Sequence, residues 1–383
     1  MTPGARVSAA IEVLDRVRAG EPAEKALTNW ARGARYAGSK DRAALRDHVF
    51  SVLRCWQSCA ARGGGETGRA LMLGALRDQG IDPDDLFTGD GHAPEPLTEA
   101  ERVLGERDAA AMRDLPEWLW ERFQASLGAD AEAAARALRT RAPIMLRVNL
   151  RRAARDEIIA RLLDEGIVAR PVGIAQNALQ VIEGERKIAG SQCYSEGWIE
   201  LQDGSSQAAM DAVEVPEGAR VLDYCAGGGG KVLALAARIE AAFFAHDAAP
   251  SRMRDLPARA ARAGVKVRCV DRPEGRFDLV LCDAPCSGSG TWRRTPEAKW
   301  ALTPDRLTEL TEIQAQILAD AAPLVTVGGQ LVYATCSVLN EENQFIIESY
   351  SSNNPGWSLV GMQQWPISDE GDGFFLAQLR RDC

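Results

Sequence analysis

Strand-like and helix-like segments alternate through the second half of this 383-residue chain. The predicted strands are five apolar runs: ARVLDY, AAFFAH, VKVRCV, FDLVLCD and GQLVYAT. Helices are predicted between and after them, near residues 230–239, 250–263, 304–325 and 341–351. This alternation favours an α/β fold, in which helices cover both faces of a parallel sheet. The last stretch, DGFFLAQLRR, is predicted to add an edge strand.

The pattern of apolar residues changes twice along the chain and indicates three domains. Residues 1–140 show apolar positions at helical spacing and predict an all-α domain, whereas 141–212 mix helix and strand patterns and predict a small α+β recognition subdomain. Residues 213–383 form the α/β domain. Residues 1–77 contain 13 Lys and Arg but seven Asp and Glu, while 78–115 contain three and 11. A basic lobe therefore precedes an acidic connector, although the net charge of the chain is −9.

The composition of the chain indicates in which cellular compartment the protein is expected. No apolar run reaches the length of a membrane span, and the first residues lack the pattern of a secretory signal. The nine cysteines are an odd number spread over the chain, which favours reduced thiols over a disulfide framework. None of the three histidines flanks a cysteine pair at zinc-site spacing, so no metal site is predicted. We expect a cytoplasmic monomer without a membrane partner.

A glycine loop, LDYCAGGGGK at 222–231, follows the first strand of the α/β domain. A phosphate-binding P-loop is excluded, because Cys225 stands where that motif needs glycine and Val232 where it needs Ser or Thr. A dinucleotide loop is nearer, but glycines also serve plain turns. Asp223, Asp247 and Asp271 close three successive strands, on the edge where ligands of such sheets bind. Acidic residues at the ends of three successive strands favour a loop that binds S-adenosylmethionine over a dinucleotide loop or a plain turn.

Two cysteines follow the fourth and fifth strands, Cys286 in CDAPCSG and Cys336 in YATCS. Small neighbouring residues leave both sulfurs accessible, unlike a cysteine buried in a core. Methyl transfer to carbon 5 of a pyrimidine needs such a thiol. A thiolate that adds to carbon 6 makes carbon 5 nucleophilic, and the adduct must then lose its carbon 5 proton and expel the thiolate. Asp283, three residues before Cys286, is placed to hydrogen-bond the ring.

These motifs, together with RVN at 147–149 and LQDGSSQ at 201–207, resemble the Sun (Fmu) family of RNA cytosine-carbon-5 methyltransferases. The similarity covers about residues 144–383, with the PCSG and TCS pair as its most specific part. Residues 1–140 resemble the NusB-like helical domain in front of the bacterial ribosomal RNA members. The resemblance implies a Rossmann-like, S-adenosylmethionine-dependent methyltransferase sheet.

The resemblance also implies roles for individual residues. Cys336 is expected to be the nucleophile and Cys286 to assist release of the methylated RNA, with Asp283 and Lys231 near the target base. The implied cofactor-binding residues are Asp223, Cys225, Ala226, Gly227, Gly228, Gly229, Gly230, Lys231, Asp247, Arg252, Asp271 and Asp283. The loop departs from the family pattern, because Gly227 and Gly228 replace Ala-Pro and Val232 replaces Thr. The extra glycines are expected to cost about 0.5–1 kcal/mol of chain entropy each.

RNA is the expected partner, most simply small-subunit ribosomal RNA, and its target base must leave the stack to reach the cofactor. The residues predicted to contact RNA are Arg147, Asn149, Arg293, Arg294 and Lys299. Trp292 and Trp300 could stack on bases or pack in a core. The sequence leaves two alternatives open: methylation of transfer RNA, and a ribosome-assembly factor whose catalysis is dispensable. A nicotinamide dehydrogenase is disfavoured, since it has no use for two thiols at the sheet edge.

Overall fold

A computed structural model describes residues 1–103, 105 and 108–383 of the chain. The chain forms two compact units, and each contains segments that are distant in sequence. The first unit consists of Met1–Gln124, Gly128–Arg141 and Trp292–Ala301, and the second of Ala125–Leu127, Ala142–Thr291 and Leu302–Cys383. No helix in the described ranges is long and apolar enough to cross a membrane.

The first unit is built from helices. They are α1 (Pro3–Arg18), α2 (Ala23–Gly33), α3 (Ser39–Arg54), α4 (Trp56–Gly63), α5 (Gly68–Asp78), α6 (Glu99–Arg102), α7 (Glu117–Leu127) and α8 (Ala131–Leu138). Helix α1 begins where Thr2 accepts a hydrogen bond from the Ala5 amide (3.2 Å), next to a proline at the first helical position. Its buried face, with Val13 and Leu14, packs in the core of this unit. The last three residues of α7 belong to the second unit.

The acidic connector predicted over residues 78–115 is part of the first unit rather than a separate linker. Its carboxylates form ion pairs with arginines of the same unit. The pairs are Arg62–Asp78 (2.9 Å), Arg69–Glu101 (2.6 Å) and Arg102–Asp84 (2.5 Å). Through Arg62 and Arg69, the acidic connector therefore neutralises part of the charge of the basic lobe.

The second unit begins with a small antiparallel sheet in the order β2-β3-β1-β4. Its elements are β1 (Ile144–Val148), α9 (Arg155–Asp164), β2 (Val168–Pro171), β3 (Ala178–Glu183), α10 (Gln192–Ser195) and β4 (Ile199–Leu201). Leu146, Ile158 and Leu162 lie in a core of its own. That a domain extends over 141–212 stays a prediction.

A seven-stranded sheet fills the rest of the second unit, in the order β10-β11-β9-β8-β5-β6-β7. Its first elements are α11 (Gly204–Asp211), β5 (Arg220–Asp223), α12 (Gly230–Ala236), β6 (Ala242–Ala245), α13 (Leu256–Ala263), β7 (Val267–Cys269) and β8 (Phe277–Asp283). After α14 (Pro296–Ala301), which belongs to the first unit, follow α15 (Pro304–Ala321), β9 (Val325–Thr335), α16 (Gln344–Asn353), β10 (Trp357–Trp365) and β11 (Phe374–Arg381). Strands β5 to β9 are parallel, which confirms the predicted architecture.

The carboxyl end of the chain differs from the prediction. DGFFLAQLRR forms β11, which lies between β9 and β10 and is therefore not an edge strand. The outer strand β10 was not predicted from the sequence. Its side chains are mostly exposed or half-buried and its register shifts at Gly361, so it lacks the alternation that marks a strand. The helix expected to reach residue 325 ends at Ala321, two residues before Pro323.

Short 3₁₀ helices complete the described structure. They span Pro83–Asp85, Ala111–Arg113, Gly128–Asp130, Glu185–Gly190, Pro250–Met253, Ala322–Leu324 and Asn340–Glu342. The chain leaves β5 toward β6 and β7 and then returns to β8 on the other side of β5. Ligands of open α/β sheets bind at such a reversal, outside the carboxyl ends of the strands. The glycine loop after β5 and the Cys286 loop after β8 both start there.

Candidate active site

The glycine loop owes its shape to backbone conformations that favour glycine. Gly227 and Gly229 have φ angles of 50° and 80°, in the left-handed region. A Cβ atom on Gly229 would also lie 2.2 Å from Cδ1 of Leu256, so helix α13 leaves no room for a side chain. The rest of the loop contains Cys225, Ala226, Gly228 and Gly230, of which Gly230 opens α12.

Asp247 follows β6 and braces this loop. Its carboxylate accepts hydrogen bonds from the amides of Gly227 and Ala249, both at 2.9 Å, and pairs with Nη1 of Arg252 at 3.1 Å. The structure thus brings three predicted cofactor residues together. Asp271 lies at an exposed position two residues beyond β7.

Asp223 ends β5 and is 1% exposed. Burial, reinforced by the charge of Asp283, raises the pKa of Asp223 to about 7. Its Oδ1 atom accepts no hydrogen bond from any residue that the structure describes. A buried acceptor without a donor is costly, so this atom fits a ligand that carries donors, as the ammonium and hydroxyl groups of S-adenosylmethionine do. Asp223, the glycine loop and Asp247 are the residues that would hold the cofactor.

The raised pKa of Asp223 predicts a pH effect on stability. The unfolded carboxyl loses its proton near pH 4, but the folded one keeps it to about pH 7, so the contribution of Asp223 to stability falls as pH rises through this window. Asp223→Asn cannot titrate. Its free energy of unfolding relative to wild type should therefore rise from pH 4.5 to 7.5, by on the order of 1 kcal/mol per pH unit. Urea titrations at several pH values measure this difference; a constant difference contradicts the prediction, and exposed Asp255→Asn is the control.

The two predicted thiols meet at the carboxyl edge of the sheet. Sγ of Cys286 and Sγ of Cys336 are 3.4 Å apart, and Oγ1 of Thr291 lies 4.0 Å from the Cys336 sulfur. The hydrogen bond from Cys286 holds the pKa of Cys336 below its ordinary value, although burial opposes the thiolate. The same contact, followed by burial, raises the pKa of Cys286 well above its ordinary value. Cys336 is therefore the more acidic thiol of the pair, which favours Cys286 as the donor in their contact.

Lys231 and Asp283 form an ion pair through Nζ and Oδ2. Burial disfavours the ammonium, but its attraction and hydrogen bond to Asp283 outweigh burial and raise the pKa of Lys231. The positive charge of Lys231 also helps to lower the pKa of Cys336. Two thiols of unequal acidity, one ammonium and one carboxylate thus surround the same edge of the sheet. These are the four residues predicted to be catalytic.

Arg147 and Asn149, predicted to contact RNA, are buried in the second unit. Nη1 of Arg147 donates to the Gly230 carbonyl (2.9 Å), and Nδ2 of Asn149 donates to the Ala263 carbonyl (2.8 Å). Burial lowers the pKa of Arg147 to about 10. Both side chains tie the small sheet to helices of the large one. This placement does not fit a direct contact with RNA, because phosphates require accessible donors.

The basic residues after Cys286 belong to the first unit. Arg293 and Lys299 are 2% and 1% exposed, and Nζ of Lys299 donates to the Arg54 carbonyl (3.0 Å). Burial lowers the pKa of Lys299 to about 8. Their expected contact with RNA needs correction for the same reason as that of Arg147, whereas Arg294 is exposed and keeps this prediction.

The tryptophans of this segment pack in the first unit. Trp292 is fully buried and its ring stacks on Phe123, with centroids 6.0 Å apart. Nε1 of Trp300 donates to the Leu53 carbonyl at 2.6 Å. Packing is thus the alternative that the structure favours over stacking on bases.

Glu342, which is 0% exposed, also lies at the site and was not predicted from the sequence. It lies in VLNEEN, six residues beyond Cys336. An acidic pair at the start of a helix is ordinarily a solvated cap. The sequence gives no signal that one of the two carboxylates is buried.

Comparisons with known proteins identify the family. Residues 210–380 match the model for 16S rRNA methyltransferase RsmB/F, and 115–186 match the ferredoxin-like domain of RsmF/B-like methyltransferases. Ribosomal RNA small subunit methyltransferase B of Citrobacter koseri is 35% identical over 299 residues, which are 73% of this chain and 69% of that protein.

Two solved structures share the fold. PH0851 aligns with a TM-score of 0.78 at 23% identity, over 100% of this chain and 99% of that one, and shows the fold alone. A methyltransferase homologue from Pyrococcus horikoshii aligns with a TM-score of 0.60 at 26% identity, over 68% of this chain and 93% of that one. The predicted Rossmann-like methyltransferase sheet is thereby confirmed. The chain belongs to the RsmB/F family of rRNA methyltransferases, and its cofactor is S-adenosylmethionine.

Proposed function

We propose that this RNA methyltransferase modifies carbon 5 of cytosine in small-subunit ribosomal RNA, through a covalent adduct of Cys336 at carbon 6. The observation that carries the proposal is the pair of sulfurs 3.4 Å apart, of which Cys336 is the more acidic. Carbon 5 of cytosine is a poor nucleophile until a thiolate adds to carbon 6. Other common methylation sites, at ring nitrogens or hydroxyl groups, do not need such an addition.

The first step is the attack of Cys336. Its sulfur forms a bond to carbon 6, and the electron pair of the carbon 5–carbon 6 double bond moves toward carbon 5 and the ring. Asp283 and Lys231 lie beside the sulfur pair and can hydrogen-bond the polar edge of the base, which stabilises the charge that develops there. S-adenosylmethionine would supply the methyl group: carbon 5 takes it with that electron pair, the bond from methyl to the sulfonium sulfur breaks, and S-adenosylhomocysteine leaves.

Release reverses the addition. Carbon 5 gives its proton to a water molecule, the electrons of that bond restore the double bond, and the bond between carbon 6 and Cys336 breaks, with its electron pair left on sulfur. Cys336 departs as a thiolate, to which the Cys286 thiol can again donate a hydrogen bond. Cys286 thus stabilises the leaving group at the site where the adduct breaks.

Ribosomal RNA is the proposed substrate because the relatives at 33–35% identity carry that substrate in their names. The same relatives are bacterial, which supports the proposal of a cytoplasmic location. The exposed side chain of Arg294 keeps its proposed contact with RNA phosphates.

Labelling tests the proposal. The protein is incubated with tritiated S-adenosylmethionine and small-subunit ribosomal RNA from a strain that lacks the corresponding methyltransferase, with transfer RNA as the parallel substrate. We expect label in ribosomal RNA, recovered as 5-methylcytidine after digestion to nucleosides.

Each other outcome has a separate meaning. Label in transfer RNA alone contradicts the proposed substrate but keeps the chemistry. Another labelled nucleoside contradicts the adduct mechanism. No label in either RNA, with normal ribosome assembly restored by a Cys336→Ala protein, would favour an assembly factor whose catalysis is dispensable.

A further inference from the structure

One buried carboxylate contacts both loops that bear the active-site cysteines. Glu342 accepts hydrogen bonds from the amide and hydroxyl of Ser287, at 2.7 and 2.5 Å, and from the hydroxyl of Ser337 at 2.5 Å. Nε2 of Gln314 donates to it at 3.1 Å. Ser287 directly follows Cys286, and Ser337 directly follows Cys336. Glu342 thus contacts the residue next to each of the two active-site cysteines.

Further buried contacts join the same two loops. The hydroxyls of Ser289 and Ser337 are 2.8 Å apart, and the Ser289 hydroxyl accepts from the Val338 amide at 2.9 Å. The Gly290 amide donates to the Cys336 carbonyl at 2.9 Å. Because β8 and β9 are neighbours in the sheet, their following loops leave the same edge together. This network therefore fixes how closely the two sulfurs approach.

The chemistry of the network requires a carboxylate at position 342. Four donors converge on its two oxygens, and an ionised carboxylate offers acceptor sites only. A glutamine would turn one donor of its own toward these donors. A buried charge is costly unless it is fully hydrogen-bonded, so its presence here indicates that the four contacts compensate it.

We propose that Glu342 is a positioning residue, which clamps the two cysteine loops through Ser287 and Ser337 and thereby holds Cys286 in hydrogen-bond contact with Cys336. The inference rests on the proposed function, for which this contact prepares the nucleophile. The charge of Glu342 also contributes, after the Cys336 contact and burial, to the raised pKa of Cys286. Cys286 is thus kept as the donor of the pair.

The charged and titratable groups around the sulfurs allow a test that separates position from charge. Lys231 and Asp283 face Cys336, while Glu342 and the Tyr333 hydroxyl, which donates to the Glu342 carbonyl (2.6 Å), lie on the Cys286 side. If Glu342 acted through its charge alone, Glu342→Gln would leave the pKa of Cys336 unchanged or lower it. If it holds Cys286 in place, the substitution should raise that pKa.

The first experiment uses the full chain without RNA. Alkylation of Cys336 by iodoacetamide is followed between pH 6 and 10 by mass spectrometry of its peptide, in wild type and in Glu342→Gln. We expect the midpoint for Cys336 to rise by at least about half a pH unit. Alkylation of the exposed Cys383 is the internal control, and Glu348→Gln, an exposed carboxylate on α16, is the matched variant.

Kinetics give the second readout. Methyl transfer by Glu342→Gln should fall by about 10²-fold in kcat, with KM for RNA within about threefold of wild type, because misplaced reacting groups affect chemistry more than binding. A folded Glu342→Gln protein with the wild-type midpoint overturns the proposal, even if its melting temperature is lower. A midpoint that shifts downward overturns it as well.

Two serine variants decide the question if Glu342→Gln does not fold. Ser287→Ala and Ser337→Ala each remove part of the clamp and keep the carboxylate. Upward shifts of the Cys336 midpoint that are not additive in the double variant support the proposal, and unchanged midpoints overturn it. If the wild-type protein methylates no cytosine, the proposed function is wrong. The alkylation experiment does not depend on that result and still shows whether Glu342 positions the two thiols.

Discussion

Cys336→Ala is expected to abolish methylation of RNA, with a loss on the order of 10⁴-fold or more, because it removes the sulfur proposed to form the bond to carbon 6. Cys286 lies 3.4 Å away, but burial and the charge of Glu342 raise its pKa even without Cys336, so it is a poor replacement for the missing nucleophile. The variant removes no part of the glycine loop and should bind S-adenosylmethionine as wild type does. Initial rates with tritiated cofactor and equilibrium dialysis of the same preparations measure the two effects.

A matched variant excludes a general effect of losing a thiol. Cys269→Ser alters an exposed cysteine at the end of β7 and should keep wild-type activity. Cys336→Ser should be almost as inactive as Cys336→Ala, since a hydroxyl is far less acidic than this thiol. Methylation of cytosine by Cys336→Ala at more than a few per cent of the wild-type rate would contradict the covalent mechanism.

The sequence was sufficient to predict the part of the fold that places the site. Strands β5 to β9 are short apolar runs, and their order along the chain fixes which loops reach the carboxyl edge. The sequence alone therefore places Asp223, Cys286 and Cys336 at one edge of the sheet. The glycine loop was predicted as well, but the positive φ of Gly227, which favours glycine where the family has alanine, was not.

Long-range packing could not be predicted in the same way. Lys299 looks like an accessible cation beside the Cys286 loop, yet it lies in the first unit with its ammonium on the Arg54 carbonyl. The guanidinium of Arg147 likewise donates a hydrogen bond to the Gly230 carbonyl, 83 residues away in the chain. Glu342 is the opposite case. Its position at the start of a helix is typical of a solvated cap, yet the two cysteine loops, which precede it in the chain, bury it. In all three, a partner distant in sequence decides the role, and no local pattern records it.

The second large effect is expected for Cys286→Ala, which should accumulate the covalent protein–RNA adduct. The hydrogen bond from the Cys286 thiol is strongest when the Cys336 sulfur is a thiolate, because the thioether of the adduct is a far weaker acceptor. A contact that stabilises the free thiolate more than the adduct shifts the equilibrium away from the adduct. Its removal shifts the balance toward the adduct and makes Cys336 a poorer leaving group.

The adduct should rise from an undetectable band to a large share of the protein in denaturing gels with labelled RNA, while turnover falls by about 10²-fold or more. The Cys286→Ala/Cys336→Ala double variant should form no adduct, since the band requires the Cys336 sulfur. Alkylation of Cys336 in Cys286→Ala should move to higher pH, because the contact that lowers the pKa of Cys336 is absent. If Cys286→Ala instead turned over at the wild-type rate without an adduct, the sulfur contact at 3.4 Å would have no part in release.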